Sequence, residues 1–489
     1  MTRDQCVLAG TAVVAMLWVI ARACTQAITI DEATTYLLFV QNPDPFHWLG
    51  SSNNHVLNTT LMRLTTRIFG VSEVSARLPA LLGATIYIAA CYRLCQRMGG
   101  GIVFSWALLV CLIYNPFIMD HLVAARGYSL ALGFLMAALV ADHRRLSSCA
   151  VASACVGLAF TANFSFAIVC GTLMAAKFLW SWSEREHSLV KLLTAYAAPA
   201  IVVTLLIPLP SLVDFPTQEL FYGSHSLAEM FNGFYISLIY ELNQNVLGPK
   251  LYYLFLFDIQ PWLYPALGIT FVAWAAYALR SRVAGGGRMR FAAVAGGAAV
   301  AALLIHWTAF HTIGLLLPKE RTGIFFVPLT FVAMAAIVTL PSDGRMSRWL
   351  RGAFTVALLG IAINNIACMR LNYFREWNWN QESRLVHQVL TCLHEKEKVQ
   401  AVASGWPFVS VLNFYRQTMP RDTYATVPDT SNNPEHVEVY VLEPMINPDL
   451  IEPKHLKVAW HGSATKATIA LPPEQVERLG SSACWEISR

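Results

Sequence analysis

Long apolar stretches recur along the chain up to about residue 370, and short polar segments separate them. Most run for roughly 15 to 22 residues, about the length that an α-helix needs to cross the hydrocarbon core of a bilayer. The two shortest, 127–141 and 148–163, are expected to be tilted or partly re-entrant. The pattern predicts about eleven spans, at residues 6–23, 77–96, 101–119, 127–141, 148–163, 164–182, 190–212, 261–280, 291–313, 322–340 and 350–369.

Composition and charge distribution agree with a polytopic membrane protein. The chain has 489 residues, of which 56% are hydrophobic and 13% charged, against about a quarter charged in soluble proteins. Arginine and lysine gather in one set of alternate short loops, which predicts that those loops and the N-terminus are cytoplasmic. This bias accounts for the pI of about 8.6, so no nucleic-acid partner is indicated. A bacterial inner or plasma membrane is the expected location.

Beyond residue 370 the pattern becomes that of ordinary soluble protein. Strand-like runs alternate with helical ones, which predicts a small α/β domain at 371–489, outside the cytoplasm. Cys392 and Cys484 are the cysteines of this tail, and they pair there only if the compartment is oxidising and the fold brings them together. The strand-like runs are 398–404, 422–427, 436–443, 456–461 and 466–471, and the helical runs are 382–395 and 407–417.

Within the predicted membrane domain, 1–370, two outer loops are longer than connectors require. The loop 24–76 contains an acidic pair and then an amphipathic stretch, 56–69, predicted to lie in the membrane interface with Arg63 and Arg67 facing headgroups. The loop 213–260 is rich in Phe, Tyr, Asn and Gln, which is typical of an interfacial loop over a ligand groove.

The acidic pair Asp31-Glu32 is the best candidate for chemistry, because carboxylates beside a spanning helix are costly to desolvate. The alternative is that Asp31 only caps a short surface helix over 32–41. If the segment is helical, Glu32 points about 100° away from Asp31, so it is a supporting or metal-binding partner rather than a second base. A divalent metal on Asp31, Glu32 and Asp120 is one option, but chain spacing does not fix a coordination shell, so the cofactor stays undetermined.

The outer face collects the residues needed for sugar transfer from a lipid phosphate. A carboxylate can take the proton of an acceptor hydroxyl, and arginine or lysine can hold the leaving phosphate. These residue types also have structural interpretations. Asp120 can cap a helix, and interfacial arginines commonly snorkel to lipid phosphates. Glu73 and Arg77 are predicted to form a structural ion pair. The candidate substrate-binding residues are His55, Asp120, Arg126, Tyr128, Lys319 and Arg321.

Several motifs, in this order and sidedness, resemble GT-C glycosyltransferases. They are the acidic pair, the Asn54-His55 element, the segment 70–79, Ala125-Arg126-Gly127-Tyr128 and Pro318-Lys319-Glu320-Arg321. Protein O-mannosyltransferases, lipid A aminoarabinose transferases and RgtA/B/C/D-like enzymes are the nearest types, over roughly residues 5–370. Many relatives have proline where this chain has Gly127, and tyrosine where it has Thr322.

The resemblance implies an inverting glycosyltransferase with Asp31 as general base. It would move a sugar from a polyprenyl-phosphate donor to an envelope lipid, glycan or protein on the outer face. A polytopic transporter or flippase of envelope lipids or glycans is the main alternative, but its expected intramembrane charges and inverted repeat are not apparent. A non-catalytic scaffold is the other alternative, against which the Asp31 constellation speaks.

Overall fold

The computed structural model describes residues 2–42, 50–207, 222–239, 241–283, 286–418, 423–443 and 448–487. Segments 43–49 and 213–221 of the two predicted outer loops lie outside these ranges. The helices of the membrane domain are α1 Arg3–Thr25, α2 Ile30–Thr35, α3 Val56–Phe69, α4 Glu73–Met98, α5 Ile102–Ile113, α6 Pro116–Val123, α7 Tyr128–Val140, α8 Leu146–Ala162, α9 Ala167–Glu184, α10 Leu189–Leu206, α11 Leu227–Leu238, α12 Gln244–Leu254, α13 Gln260–Arg280, α14 Gly286–Ile313, α15 Phe326–Val338 and α16 Arg345–Ala367.

Every predicted span corresponds to a helix. Within the described residues, eight helical segments are long and apolar enough to cross a membrane, and a ninth span is formed if α5 and α6 count together. These two are bent by 53° at Asn115-Pro116, where the Asn115 side chain accepts from the next helix and proline occupies its first turn. The two shortest predicted spans, now α7 and α8, remain below the length needed to cross alone.

Close packing of α4 on α7 brings two predicted motifs together. A Cβ on Gly83 would lie 2.4 Å from the backbone nitrogen of Leu130, so only glycine permits this approach. The Ser129 hydroxyl donates to the carbonyl of Ala80 at 2.6 Å. Because these contacts lie near the starts of both helices, Arg77 of α4 and the segment before Tyr128 lie on the same side of the bundle.

Two predictions about charged residues near this end are wrong. Arg63 does not face headgroups: it is 7% exposed, and it donates to the carbonyls of Phe39 and Val40, both at 3.0 Å. Arg77 does not pair with Glu73. Its partner is Glu32 at 2.8 Å, whereas Glu73 pairs with Arg384 of the C-terminal domain.

The C-terminal domain has the predicted α/β character. It contains α17 Ser383–Glu397, α18 Trp406–Thr418, β1 Val402–Ser404, β2 Val439–Leu442, β3 Lys457–His461 and β4 Thr468–Leu471. The sheet order is β1-β2-β4-β3, with β1 parallel to β2 and the other pairs antiparallel. Cys392 and Cys484 form a disulfide with 5.8 Å between their Cα atoms. The run 422–427 forms no strand over its described residues 423–427.

Candidate active site

The acidic pair lies in the first turn of α2, and Thr29 caps this helix. The Thr29 side chain accepts from the Glu32 backbone N–H at 3.2 Å, and the Glu32 carboxylate accepts from the Thr29 N–H at 2.9 Å. This reciprocal capping box leaves Asp31, the second residue of the helix, with its side chain uninvolved in the cap. The capping interpretation of Asp31 is therefore wrong, whereas the predicted helix over 32–41 is present as α2 and the π-helical turn Tyr36–Val40 that continues it.

Glu32 is fully buried and fully bonded. Its Oε1 accepts from Arg77 Nε at 2.9 Å and from the Ala125 N–H at 2.8 Å, while Oε2 accepts from Arg77 Nη2 at 2.8 Å. Burial alone would raise the pKa of Glu32, but Arg77 outweighs it and the pKa is lowered. The remaining N–H groups of Arg77 donate to the carbonyls of Ala23, Gln26 and Ala27.

This pair therefore ties the end of α1, the start of α4 and the segment before α7 to α2. No oxygen of Glu32 is left for a substrate, and its place is beneath the site rather than in it.

Asp31 is 18% exposed, and its two oxygens differ sharply. Oδ2 accepts from Arg321 Nη1 at 3.1 Å and from Trp377 Nε1 at 3.2 Å, and it lies 3.7 Å from Arg126 Nε. Oδ1 accepts no hydrogen bond from any residue that the structure describes. One oxygen is thus anchored, and the other is available to an incoming hydroxyl.

Arg321 bridges Asp31 to a second carboxylate, Glu376, at 2.6 Å. Glu376 also lies 3.2 Å from His121 Nε2. Burial would raise the pKa of Glu376, but Arg321 and His121 lower it to about 2. Both carboxylates use Nη1 of Arg321. Its other N–H groups donate to nothing within the described ranges, so they are available to an anionic ligand.

Arg126 and its neighbours form the wall beside Asp31. Arg126 Nη1 donates to the Thr35 hydroxyl at 3.0 Å and Nη2 donates to Asn53. Gly127 has a φ of +74°, and a Cβ there would lie 2.1 Å from the carbonyl oxygen of Ala162. Proline cannot adopt this φ, and any side chain would clash, so this turn requires glycine.

His55 and Tyr128 lie behind this wall, with their ring centroids 5.6 Å apart. Burial, Arg126 and Arg321 together hold the pKa of His55 well below its usual range, so the imidazole is neutral. Its Nε2 has no hydrogen-bond partner in the described part of the chain. His55 is therefore one buried polar group here that a ligand can satisfy.

Lys319 lies at the outer edge, 3.3 Å from Glu229 of α11 and 6.0 Å from the ring centroid of Tyr222. Tyr222 also stacks under the Arg321 guanidinium at 5.1 Å. Lys319 and Arg321, the two cations of the late basic motif, therefore both lie over the Tyr222 ring.

An apolar groove of about 300 Å³ begins beside these cations. Phe234 of α11 lines it and also covers Gly323, where a Cβ would lie 2.1 Å from the Phe234 ring. Its other walls include Phe231, Leu267, Val300, Phe326 and Met334.

Asp120 is not brought to this cluster as a ligand-binding group. It is 2% exposed, pairs with Arg22 at 2.5 Å and accepts from the backbone N–H of Arg375 at 3.0 Å. It therefore connects α6 to α1 and to the segment leading into the C-terminal domain. Among the described residues, no group of three or more His, Cys, Asp or Glu side chains is arranged to hold a metal ion.

Glu376 and Trp377 are site residues that the sequence did not predict. They lie in the connector between α16 and α17, which carries no catalytic motif. The only signal was a run of aromatic and charged residues, Arg375-Glu376-Trp377-Asn378-Trp379, directly after the last span.

No protein-family model matches the chain, and no curated protein matches its sequence. Solved structures with a similar fold include ArnT from Cupriavidus metallidurans bound to undecaprenyl phosphate, at 13% identity and a TM-score of 0.49, over 95% of this chain and 97% of that one. The Archaeoglobus fulgidus oligosaccharyltransferase, in complex with zinc and sulfate, is 12% identical with a TM-score of 0.42, over 94% of this chain and 73% of that one. At such low similarity, individual residue roles rest on the geometry of this chain alone.

Proposed function

We propose that this protein is a membrane glycosyltransferase that moves a sugar from a polyprenyl-phosphate donor to an acceptor hydroxyl, with inversion. The observation that carries the proposal is the asymmetric Asp31 carboxylate, anchored through Oδ2 and open at Oδ1, beside a partly unengaged arginine. The acceptor is an envelope lipid, glycan or protein.

In the proposed step, Oδ1 of Asp31 takes the proton of the acceptor hydroxyl as its oxygen bonds to the anomeric carbon. The bond between that carbon and the phosphate oxygen breaks, and its electron pair leaves with polyprenyl phosphate. Because Trp377 and Arg321 hold Oδ2, the carboxylate cannot swing away from the acceptor. This positioning is what a fixed general base requires.

Arg321 is proposed to hold the phosphate through Nε and Nη2, which face no partner in the described chain, with Lys319 as a second cation. A phosphate monoester or diester is bound well by such a planar fork. The negative charge that builds on the leaving group is then met by a preorganised cation. Glu376, which also contacts His121, helps to hold the guanidinium through Nη1.

The apolar groove beside Arg321 is proposed to take the first part of the polyprenyl chain. Its lining is aromatic and aliphatic, and its mouth is next to the proposed phosphate site through Phe234 and Gly323. A lipid chain leaving the phosphate can therefore enter the groove without crossing a polar surface.

The C-terminal domain is proposed to position α2 from the outer side of the membrane. Ser410 accepts from the Thr34 hydroxyl at 3.0 Å, and the Tyr415 hydroxyl accepts from the Ile28 N–H at 3.1 Å. The disulfide of this domain suits an oxidising compartment. Together these contacts support a site assembled outside the cytoplasm.

The test of the proposed function is a product assay. Purified full-length protein is incubated with polyprenyl-phosphate-linked sugars and an envelope extract, and mass spectrometry follows glycolipids, glycans and proteins. We expect release of polyprenyl phosphate with a matching mass increase on one acceptor class. Movement of intact donor across vesicles without cleavage would instead show a flippase and overturn the proposal.

A further inference from the structure

A second charged cavity lies at the opposite end of the helix bundle from Asp31. α4 carries Arg77 beside Glu32 near one end and Arg97 near the other, about 20 residues or 30 Å along the helix axis. The cavity has a volume of about 340 Å³ and is lined by Arg97 with residues of α7, α9, α14 and α15. It is therefore separate from the proposed catalytic site and lies on the side where the arginine-rich loops gather.

Three cations line this cavity against one carboxylate, which also pairs with Arg145 at 3.9 Å. The cations are Arg97, Lys177 and Arg288, and the carboxylate is Asp142. Lys177 is 3% exposed, and it forms no ion pair with any residue in the described ranges. Asp142 acts on Lys177 only through space, and a buried ammonium with no ion pair is unusual, so an anion in the cavity would stabilise it.

Helix capping explains part of this arrangement but not all of it. Lys177 Nζ donates to the carbonyl of Ala141 at 2.9 Å, Arg97 Nη1 to Val140 at 3.0 Å, and Arg288 Nη1 to Thr339 at 2.7 Å. These carbonyls at helix ends satisfy hydrogen bonds and carry partial negative charge only. Each arginine uses one N–H group on the described chain, and the others remain free to bind an anion.

The remaining wall is apolar, which favours an amphiphile over a free inorganic anion. Leu94, Met98, Phe291, Val294 and Ala336 line the cavity next to the cations. We propose that this cavity binds the phosphate headgroup of an anionic phospholipid, whose acyl chains pack against the apolar wall. Basic pockets between spanning helices on the cytoplasmic side are suited to such headgroups.

The test measures lipid retention by full-length protein in mild detergent, using native mass spectrometry after addition of phosphatidylglycerol or phosphatidylcholine. The double variant Arg97→Gln/Arg288→Gln removes two exposed cations of the cavity. The control, Arg345→Gln/Arg348→Gln, removes two exposed arginines from the first turn of α16. The double variant Arg97→Lys/Arg288→Lys keeps the charge and replaces the glutamine variant in the test if that variant does not fold.

We expect wild type and control to prefer phosphatidylglycerol, and the glutamine variant to bind it about tenfold or more weakly, as loss of charge-assisted hydrogen bonds implies. The lysine variant should fall between them, because it lacks the guanidinium fork. Unchanged retention in the glutamine or lysine variant would overturn the proposal, as would an equal loss in the control. Displacement of the lipid by millimolar inorganic phosphate would assign the cavity to a soluble anion instead.

Discussion

Glutamine at position 32 should destabilise the protein, whereas asparagine at position 31 should not. Both oxygens of Glu32 accept hydrogen bonds from N–H groups, among them those of the buried Arg77 at 2.8 and 2.9 Å. An amide would turn its N–H₂ group toward two of those donors and would leave the Arg77 charge unpaired. Breaking a buried ion pair in this way costs about 3–5 kcal/mol.

The matched control is Asp31→Asn, one residue away. Only Oδ2 of Asp31 accepts hydrogen bonds from the described chain, so the amide can place its oxygen there and turn its nitrogen to the open side. Thermal unfolding of both variants in the same detergent is the assay. At about 1 °C per kcal/mol for a chain of this length, Glu32→Gln should melt roughly 3–5 °C below wild type, while Asp31→Asn stays within about 1 °C. Equal melting temperatures for Glu32→Gln and wild type would refute the structural role given to this ion pair.

Three further predictions concern donor binding, acid stability and topology. Arg321→Ala should lower the transfer rate about a hundredfold, since a preorganised charge contact contributes about 3 kcal/mol. Arg321→Lys should rescue the rate in part. Full activity of the alanine variant in a transfer assay would show that other residues bind the phosphate. Because the pKa of Glu376 is lowered from 4.5 to about 2, its stabilising contribution is present above about pH 4.5 and is lost as the pH falls toward 2. The melting temperature should therefore fall more steeply between about pH 5 and pH 3 in wild type than in Glu376→Gln. Parallel curves of melting temperature against pH would contradict this. A reporter active only outside the cytoplasm should be active when fused after Arg489, and a cytoplasmic readout would mean a miscounted span.

Much of the fold follows from patterns that act locally. Apolar length placed a helix at each expected span, and the change of pattern after residue 370 located the α/β domain. The exceptions have local causes too: α5 and α6 bend at Pro116, and residues 423–427 pair too little to form a strand although their composition is strand-like.

The candidate site was predictable only where one motif carries the chemistry. Asp31 and Arg321 were identified from their own segments, and the structure brings them within 3.1 Å of each other. The partner of Glu32 was missed because Glu73 lies one turn from Arg77 in the sequence, and tertiary packing overrides that proximity. Trp377 was missed because its role depends on the connector folding back over α2, which no periodicity reports.

The most direct test of the central claim is transfer by Asp31→Asn measured beside its binding of donor. The variant keeps the hydrogen bonds at Oδ2 and the shape of the side chain, but it cannot accept a proton. We predict a folded protein that binds the polyprenyl-phosphate donor within about threefold of wild type and transfers sugar at least about a hundredfold more slowly, as loss of general-base catalysis implies. Transfer within a few-fold of wild type by the folded variant would contradict the assignment of Asp31 as the base.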